Sequence, residues 1–401
     1  MKNLLIKIVA VAGVMLMISC DREKEDEVTP VAQNEFKYIR VLVNDELTTR
    51  ISLVDPSTGV VTPFEAVHPK SALYNTQGGR FGALISTANN HLQLFDTGLE
   101  GHGDHVDTKG TPKFAALIGD GNKPTHFKSK GDEIITFNDG DGTLSIAKEA
   151  DFHTQGAKMQ TVRTGNVAHH GAMTKFNNGT YAITEKDGSV AGSLPERVRI
   201  IDASGKVVHP SSIQTKGIHG NASDGKVSLF GSSSGILVVE ASGVQRLIPH
   251  PESFKSAWFG SILEAKGVGQ FIGFSAAVGA YSIDVEHNKV VPIIESTDLI
   301  QVKIDYAGNQ LIALMHSGEI KVYDLQSNSL KKSGTLMAPV SKEEKQKPQV
   351  EATSRYLYIT QPKSGELLQI DMADFSRVKK MKVSQTPYRL TVLGAESDEG
   401  H

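Results

Sequence analysis

The chain has one cysteine and one tryptophan, and aromatic residues make up only 6% of it. A single thiol excludes an intramolecular disulfide, so packing alone must hold the body together, as a chain of this length can. The net charge is −3, with Lys and Arg spread along the chain and no basic stripe, so nothing marks a nucleic-acid partner. The apolar run from Ile8 to Ile18 is broken by Gly13 and falls short of the roughly 20 residues a membrane-spanning helix needs. Neither a phosphate-cradling glycine loop nor zinc-finger spacing occurs, which leaves several common protein classes unsupported.

What is present begins with the N-terminus. Lys2 and Lys7 give a positive segment around a short apolar stretch, the pattern of a secretory signal. Met17-Ile18-Ser19-Cys20 resembles the lipobox of bacterial lipoproteins, in which the cysteine is lipidated and becomes the new N-terminus. Residues 1–19 are therefore expected to be a lipoprotein signal peptide, and Cys20 an anchor in a lipid bilayer. That reading makes the protein exported and tethered to a bacterial membrane, on its periplasmic or surface side. Residues 20–35 contain the charged run Asp21 to Glu27 followed by Thr29-Pro30, a composition unable to bury a core; a flexible tether is expected there. Residues 395–401 read as a flexible acidic tail ending in His401.

Between these ends, 38 glycines punctuate short β-branched and apolar runs, and long helical periodicity is absent. An alternating strand that closes near a charged residue, followed by a turn and a second strand, recurs along the chain. Examples are ISLVDPSTGVV, VRIIDASGKVV and IKVYDLQSNSLKK. The markers are Asp55, Asp96, Lys148, Asp202, Glu240, Asp284, Asp324 and Asp371, at intervals of 38 to 54 residues. Four-stranded propeller blades have a period of about 40–50 residues. The expected fold is all-β, a single β-propeller over residues 36–394 with eight blades, or seven if a terminal copy is degenerate. The strand at Leu390 to Leu393 is expected to complete the first blade and close the ring.

Fourteen histidines occur, and six lie between residues 102 and 219 in local motifs. Gly101-His102-Gly103-Asp104-His105-Val106-Asp107 is a glycine-loosened loop in which two imidazoles sit among acidic neighbours. Asp104 and Asp107 are placed to bind an ion directly or to hold a ring nitrogen. Lys123-Pro124-Thr125-His126, Ala168-His169-His170-Gly171 and Ile218-His219-Gly220 each open a repeat unit. The first strand of a blade lines the central channel, so residues repeated at its start converge on one mouth. Three or four imidazoles gathered in this way form a metal site. Nitrogen ligands without thiolate suit Zn²⁺, and also copper, nickel or iron. The ligands must be neutral, so affinity should fall as pH drops through roughly 6.5. His68, His91, His153, His209, His250, His287 and His316 fall in turns or strand ends without such company.

The ordered set GLEGHGDHVD, KPTHF with ITFNDGDGT, AHHG, LPERVRIID and IHG resembles the AztD-like periplasmic zinc metallochaperones. These are β-propeller proteins associated with ABC-type zinc importers. The resemblance spans about residues 95 to 245, with weaker repeat-like similarity beyond. It implies metal ligands among His102, His105, His126, His169, His170 and His219, with Asp104 and Asp107 accompanying the first motif. It also implies the solute-binding protein of a zinc ABC transporter as partner. The chain departs from the family in two respects. It lacks a cysteine pair near IHG, and its N-terminal tether holds no histidine.

The leading expectation is a non-enzymatic, membrane-tethered zinc carrier that passes Zn²⁺ on by ligand exchange. A second reading is a metal-dependent hydrolase or lyase in which Asp107 or Glu185 serves as base. A third is an interaction propeller whose histidines are structural.

Overall fold

A computed structural model describes residues 36–102 and 105–397 and the backbone of residues 399–400. The expected signal peptide (1–19), Cys20, the tether (20–35), Asp104 and His401 lie outside the described residues.

The repeated charged marker has a structural cause. Each marker ends, or directly follows, the third strand of a four-stranded antiparallel sheet. At the six aspartate markers the carboxylate accepts amide hydrogens from the turn beyond it. Asp55 accepts from Ser57 and Thr58 at 3.0 and 3.3 Å. Asp202 accepts from Ser204 and Lys206 at 2.8 and 3.0 Å, and Asp324 accepts from Ser327 at 2.9 Å. An aspartate here mimics a backbone turn and folds the chain into the fourth strand. The hydroxyls of Ser204 and Ser327 donate to the same carboxylates and hold Asp202 and Asp324 below the usual carboxylate range.

Eight such sheets follow one another as blades. Blade one holds Ile39–Asp45, Arg50–Asp55 and Val60–Glu65, and its innermost strand is Pro387–Gly394 from the far end of the chain. Blades two to eight span residues 72–119, 124–162, 173–209, 218–248, 261–295, 299–335 and 350–382. Leu42 faces Thr391 and Val43 faces Leu390 in the antiparallel closure. The count is therefore eight, with the first blade completed by the C-terminal strand. Among the described residues, no helix is long and apolar enough to cross a membrane.

The apolar core is divided among the blade interfaces. Phe137, Leu144 and Ile146 of blade three pack against Tyr181, Ile183 and Ile201 of blade four. Phe176, Ala182 and Ile200 of blade four pack against Phe230 and Leu237 of blade five. Leu390, Val392 and Val41 of blade one meet Tyr358 and Leu367 of blade eight, so the closing strand belongs to a core of its own. Full burial of each large side chain contributes about 1.5–3 kcal/mol, which ties every blade to both neighbours. This leaves the first strands free to present polar residues to the channel.

Blade two carries an insertion between its third and fourth strands, a hairpin of Leu99–Gly101 and His105–Thr108. Residues 395–401 read as a flexible tail from composition. Within them, Glu399–Gly400 pairs in parallel with this hairpin, Glu399 opposite His105. An exposed strand edge offers unpaired amides and carbonyls, and here the chain end takes them up.

Chain direction assigns the two mouths of the channel. Strands within a blade alternate in direction, so the segment entering a first strand lies at one mouth, called here the entry mouth. The link from third to fourth strand lies at the other, the far mouth. A six-residue strand separates them by about 20 Å.

Candidate metal centre

His126 lies on the first strand of blade three, Pro124–Lys130, just past a bulge in its pairing with Glu133–Asn138. From that point alternation is regular. Phe127 turns into the core between blades two and three, and His126 and Lys128 share the opposite, channel side. His170 lies in the segment leading into Met173–Lys175 of blade four, and His219 near the start of Ile218–Ser223 of blade five. All three are half-buried at the entry mouth, and one nitrogen from each lies within 4.8 Å of the others. The Nε2 atoms of His126 and His170 are 3.3 Å apart. Two Zn–N bonds of about 2.0–2.1 Å at a tetrahedral angle place their nitrogens about 3.3 Å apart. The rings of His170 and His219 stack at 5.2 Å, and that of His126 stands 4.9 and 5.8 Å from them.

Two of the rings are held from behind. The Nδ1–H of His170 donates to Asp139 Oδ2 at 2.7 Å, and the Nδ1–H of His219 donates to the Gly260 carbonyl at 2.7 Å. An acceptor on Nδ1 places the proton there and leaves Nε2 as a lone-pair donor turned to the cluster. Asp139 comes from the Asn138-Asp139-Gly140 turn of blade three, so one blade orients a histidine of the next. Its other oxygen accepts the Gly171 amide at 3.3 Å. His126 has its pKa pushed down to about 3, first by burial and then by the neighbouring His170 and His219. A neutral ring is the form that binds a metal.

Two glycines permit these approaches. A Cβ on Gly171 would stand 2.2 Å from the Phe137 ring. Gly220 has φ +76°, and a Cβ there would lie 2.5 Å from the Gly260 oxygen that His219 uses.

The other sequence candidates lie elsewhere. His169, adjacent to His170, is buried against Phe137 with ring centroids 4.9 Å apart. Its Nδ1 is 2.8 Å from the Val167 carbonyl and its Nε2 is 3.0 Å from Thr184 Oγ1. Both nitrogens are engaged, so His169 is a core residue and not a fourth ligand of the cluster. Burial pulls its pKa down. His102 and His105 sit on the blade-two insertion, hence at the far mouth. Their rings stack at 5.4 Å, and their Nε2 atoms lie 3.5 and 3.9 Å from the Asp107 carboxylate. Lys109 already bonds Asp107 at 2.7 Å and holds its carboxyl below the ordinary range. The fold therefore brings three of the six candidate histidines together and places the other three apart from them. It makes a three-histidine cluster at the entry mouth and a separate His–His–Asp group at the far mouth, in which His102 is exposed and His105 and Asp107 are half-buried.

Glu185 bonds Arg199 at 3.0 Å and accepts from the Ser211 hydroxyl at 2.9 Å, which fixes it in blade four. Asp139 and the Gly260 carbonyl were not singled out as site residues by the sequence, although Asp139 stands in the quoted ITFNDGDGT. His68 and His91 pack edge to face at 5.0 Å, a contact that no motif signals.

No family model matches the chain, and no curated protein matches it. Solved structures do. The crystal structure of Citrobacter koseri AztD superimposes with a TM-score of 0.81 at 20% identity, covering 90% of this chain and 99% of that one. The apo form of the same protein gives 0.80 at 19% identity, covering 89% and 99%. Dihydro-heme d1 dehydrogenase NirN in complex with DHE gives 0.61 at 15% identity, covering 88% and 74%. At these identities the likeness is one of fold: the chain has the eight-bladed architecture of AztD along nearly its whole described length.

Proposed function

We propose that this protein is an exported zinc metallochaperone, anchored through Cys20, that carries Zn²⁺ on His126, His170 and His219. It releases the ion by ligand exchange to the solute-binding protein of a zinc ABC importer. The observation that carries this reading is the cluster itself: three imidazoles from three consecutive blades, two with Nδ1 fixed by acceptors, at a solvent-reaching mouth. Three protein ligands leave a tetrahedral ion one open position. An incoming histidine takes that position first, and the resident imidazoles then leave one at a time. Asp139 uses its carboxylate on His170 and Gly171, so it is not free to act as a base toward bound water. That favours carriage of the ion over hydrolysis. Below the cluster the channel wall carries Lys128, Lys130 and Lys266 without a carboxylate contact among the described residues, and burial brings the Lys128 ammonium down to about 8. A cationic wall opposes deeper passage of Zn²⁺, so loading and release use the same mouth.

The test is zinc stoichiometry by elemental analysis, followed by transfer from the loaded protein to a metal-free solute-binding protein in the presence of a chelator. Direct transfer is expected to outpace capture of the ion by the chelator. Transfer at the rate of free dissociation, or equal zinc content in the His126→Ala/His170→Ala/His219→Ala variant, would sink the reading. Loss of membrane attachment in Cys20→Ala tests the anchor separately.

A further inference from the structure

The channel continues below the histidine cluster into a cavity of about 460 Å³. It is walled by the later halves of the first strands, and the three histidines take no part in it. Its charge is unbalanced. Two of the ionic groups on the wall are matched: Lys175 bonds Glu133 at 3.0 Å, and Glu351 bonds Lys303. Asp305 is held by the amides of Asn309 and Gln310 at 2.7 and 2.8 Å. Three ammonium groups remain without a carboxylate contact among the described residues. Lys128 donates to the Asn221 carbonyl at 2.9 Å and Lys130 to the Asp224 carbonyl at 3.3 Å. Lys266 lies over the Tyr306 ring at 5.0 Å. The wall's other carboxyl, Glu264, makes no hydrogen bond among the described residues. Lys130, Lys128 and Lys266 all act on it electrostatically, yet burial pushes its pKa up.

An ammonium has three N–H donors, and one neutral carbonyl satisfies only one of those on Lys128. Removing such a charge from water is costly unless an anion or further acceptors compensate. Lys128 and Lys130 start from blade three and reach carbonyls of blade five, and Lys266 comes from blade six; all three line the same cavity. We infer that this cavity is a binding site for a small dianion, a short dicarboxylate or inorganic phosphate, held by Lys128, Lys130 and Lys266. Its volume lies within the range of small-molecule sites. Both candidate ligands present two negative charges on several acceptor oxygens, which is what three separated ammonium groups complement.

The experiment uses the metal-free full-length body, so its outcome is independent of zinc carriage. Succinate and inorganic phosphate are titrated separately by calorimetry at constant ionic strength. Saturable binding of at least one is expected, weakening as salt rises because the contacts are charged. Binding of succinate alone assigns the dicarboxylate, and binding of phosphate alone assigns the oxyanion. Lys266→Met and Lys128→Met should each reduce the affinity at least about tenfold, a loss of about 1.4 kcal/mol. Lys266→Met lies three blades from His126 and guards against a folding defect near the cluster. No saturable binding of either anion to the unmodified protein overturns the inference, as does binding unchanged in both variants.

Discussion

The two histidine groups stand at opposite mouths of one channel and are built differently. At the entry mouth, His170 and His219 are fixed by Asp139 and the Gly260 carbonyl, and burial keeps His126 neutral. At the far mouth, His102 is exposed and His105 half-buried, and both face a carboxylate that Lys109 already holds. Blade interfaces impose the first geometry, and a surface hairpin with a borrowed strand carries the second. Preorganised ligands lose little freedom on binding an ion, whereas the hairpin must first give up an ion pair. On the proposed function, the entry mouth is therefore where tight binding of zinc is expected.

The largest expected effect that would test this contrast is loss of tight zinc binding in His126→Ala/His170→Ala/His219→Ala, read by competition with a chromophoric chelator. Retention of tight binding would transfer the principal site to the hairpin. Next comes Asp139→Ala, which removes the acceptor that orients His170 and should weaken zinc binding about 10–100-fold. An unchanged affinity would show that ring orientation does not need Asp139. Gly171→Ala places a Cβ against Phe137, and overpacking of this kind costs about 1–3 kcal/mol. Denaturant unfolding of the metal-free protein would measure it.

A pH effect should be smaller but directional. His126 sits at about 3 in the folded protein, against about 6.5 in an unfolded chain. Between those values the unfolded chain binds the extra proton, so stability is complete above about pH 6.5 and declines as pH falls toward 3. Metal-free His126→Gln should lose less stability than the parent between about pH 7 and about pH 4. Equal losses, compared by denaturant midpoints, would remove His126 as a source of acid sensitivity. The smallest effect is expected from His102→Ala/His105→Ala, which should leave the affinity of the entry-mouth cluster unchanged. A drop in that affinity would couple the two mouths.

Much of this is legible in the sequence. The Asp55-to-Asp371 markers carry the blade period because the same aspartate turn closes six of the eight third strands. The placement of His126, His170 and His219 at repeat starts gave their convergence. The far-mouth position of His102 and His105 was also present in the order of the chain, since their motif follows the third-strand marker Asp96 where the others precede first strands. The family resemblance, which offers all six as candidate ligands, does not register that half-blade difference in phase. The split between His169 and His170 had no such signal. Neighbouring residues in an irregular segment point wherever packing directs them, and Phe137 and Thr184 come from strands distant in sequence.

By itself, then, the sequence determined the all-β repeat, the ring closure and the three histidines in phase, because these depend on local turn chemistry and on spacing along one chain. Tertiary structure alone decided that Asp139 of one blade orients His170 of the next, and that the Gly260 carbonyl holds His219. It also decided that Lys128, Lys130 and Lys266 line one cavity. Those relations depend on contact between blades, which spacing along the chain does not encode.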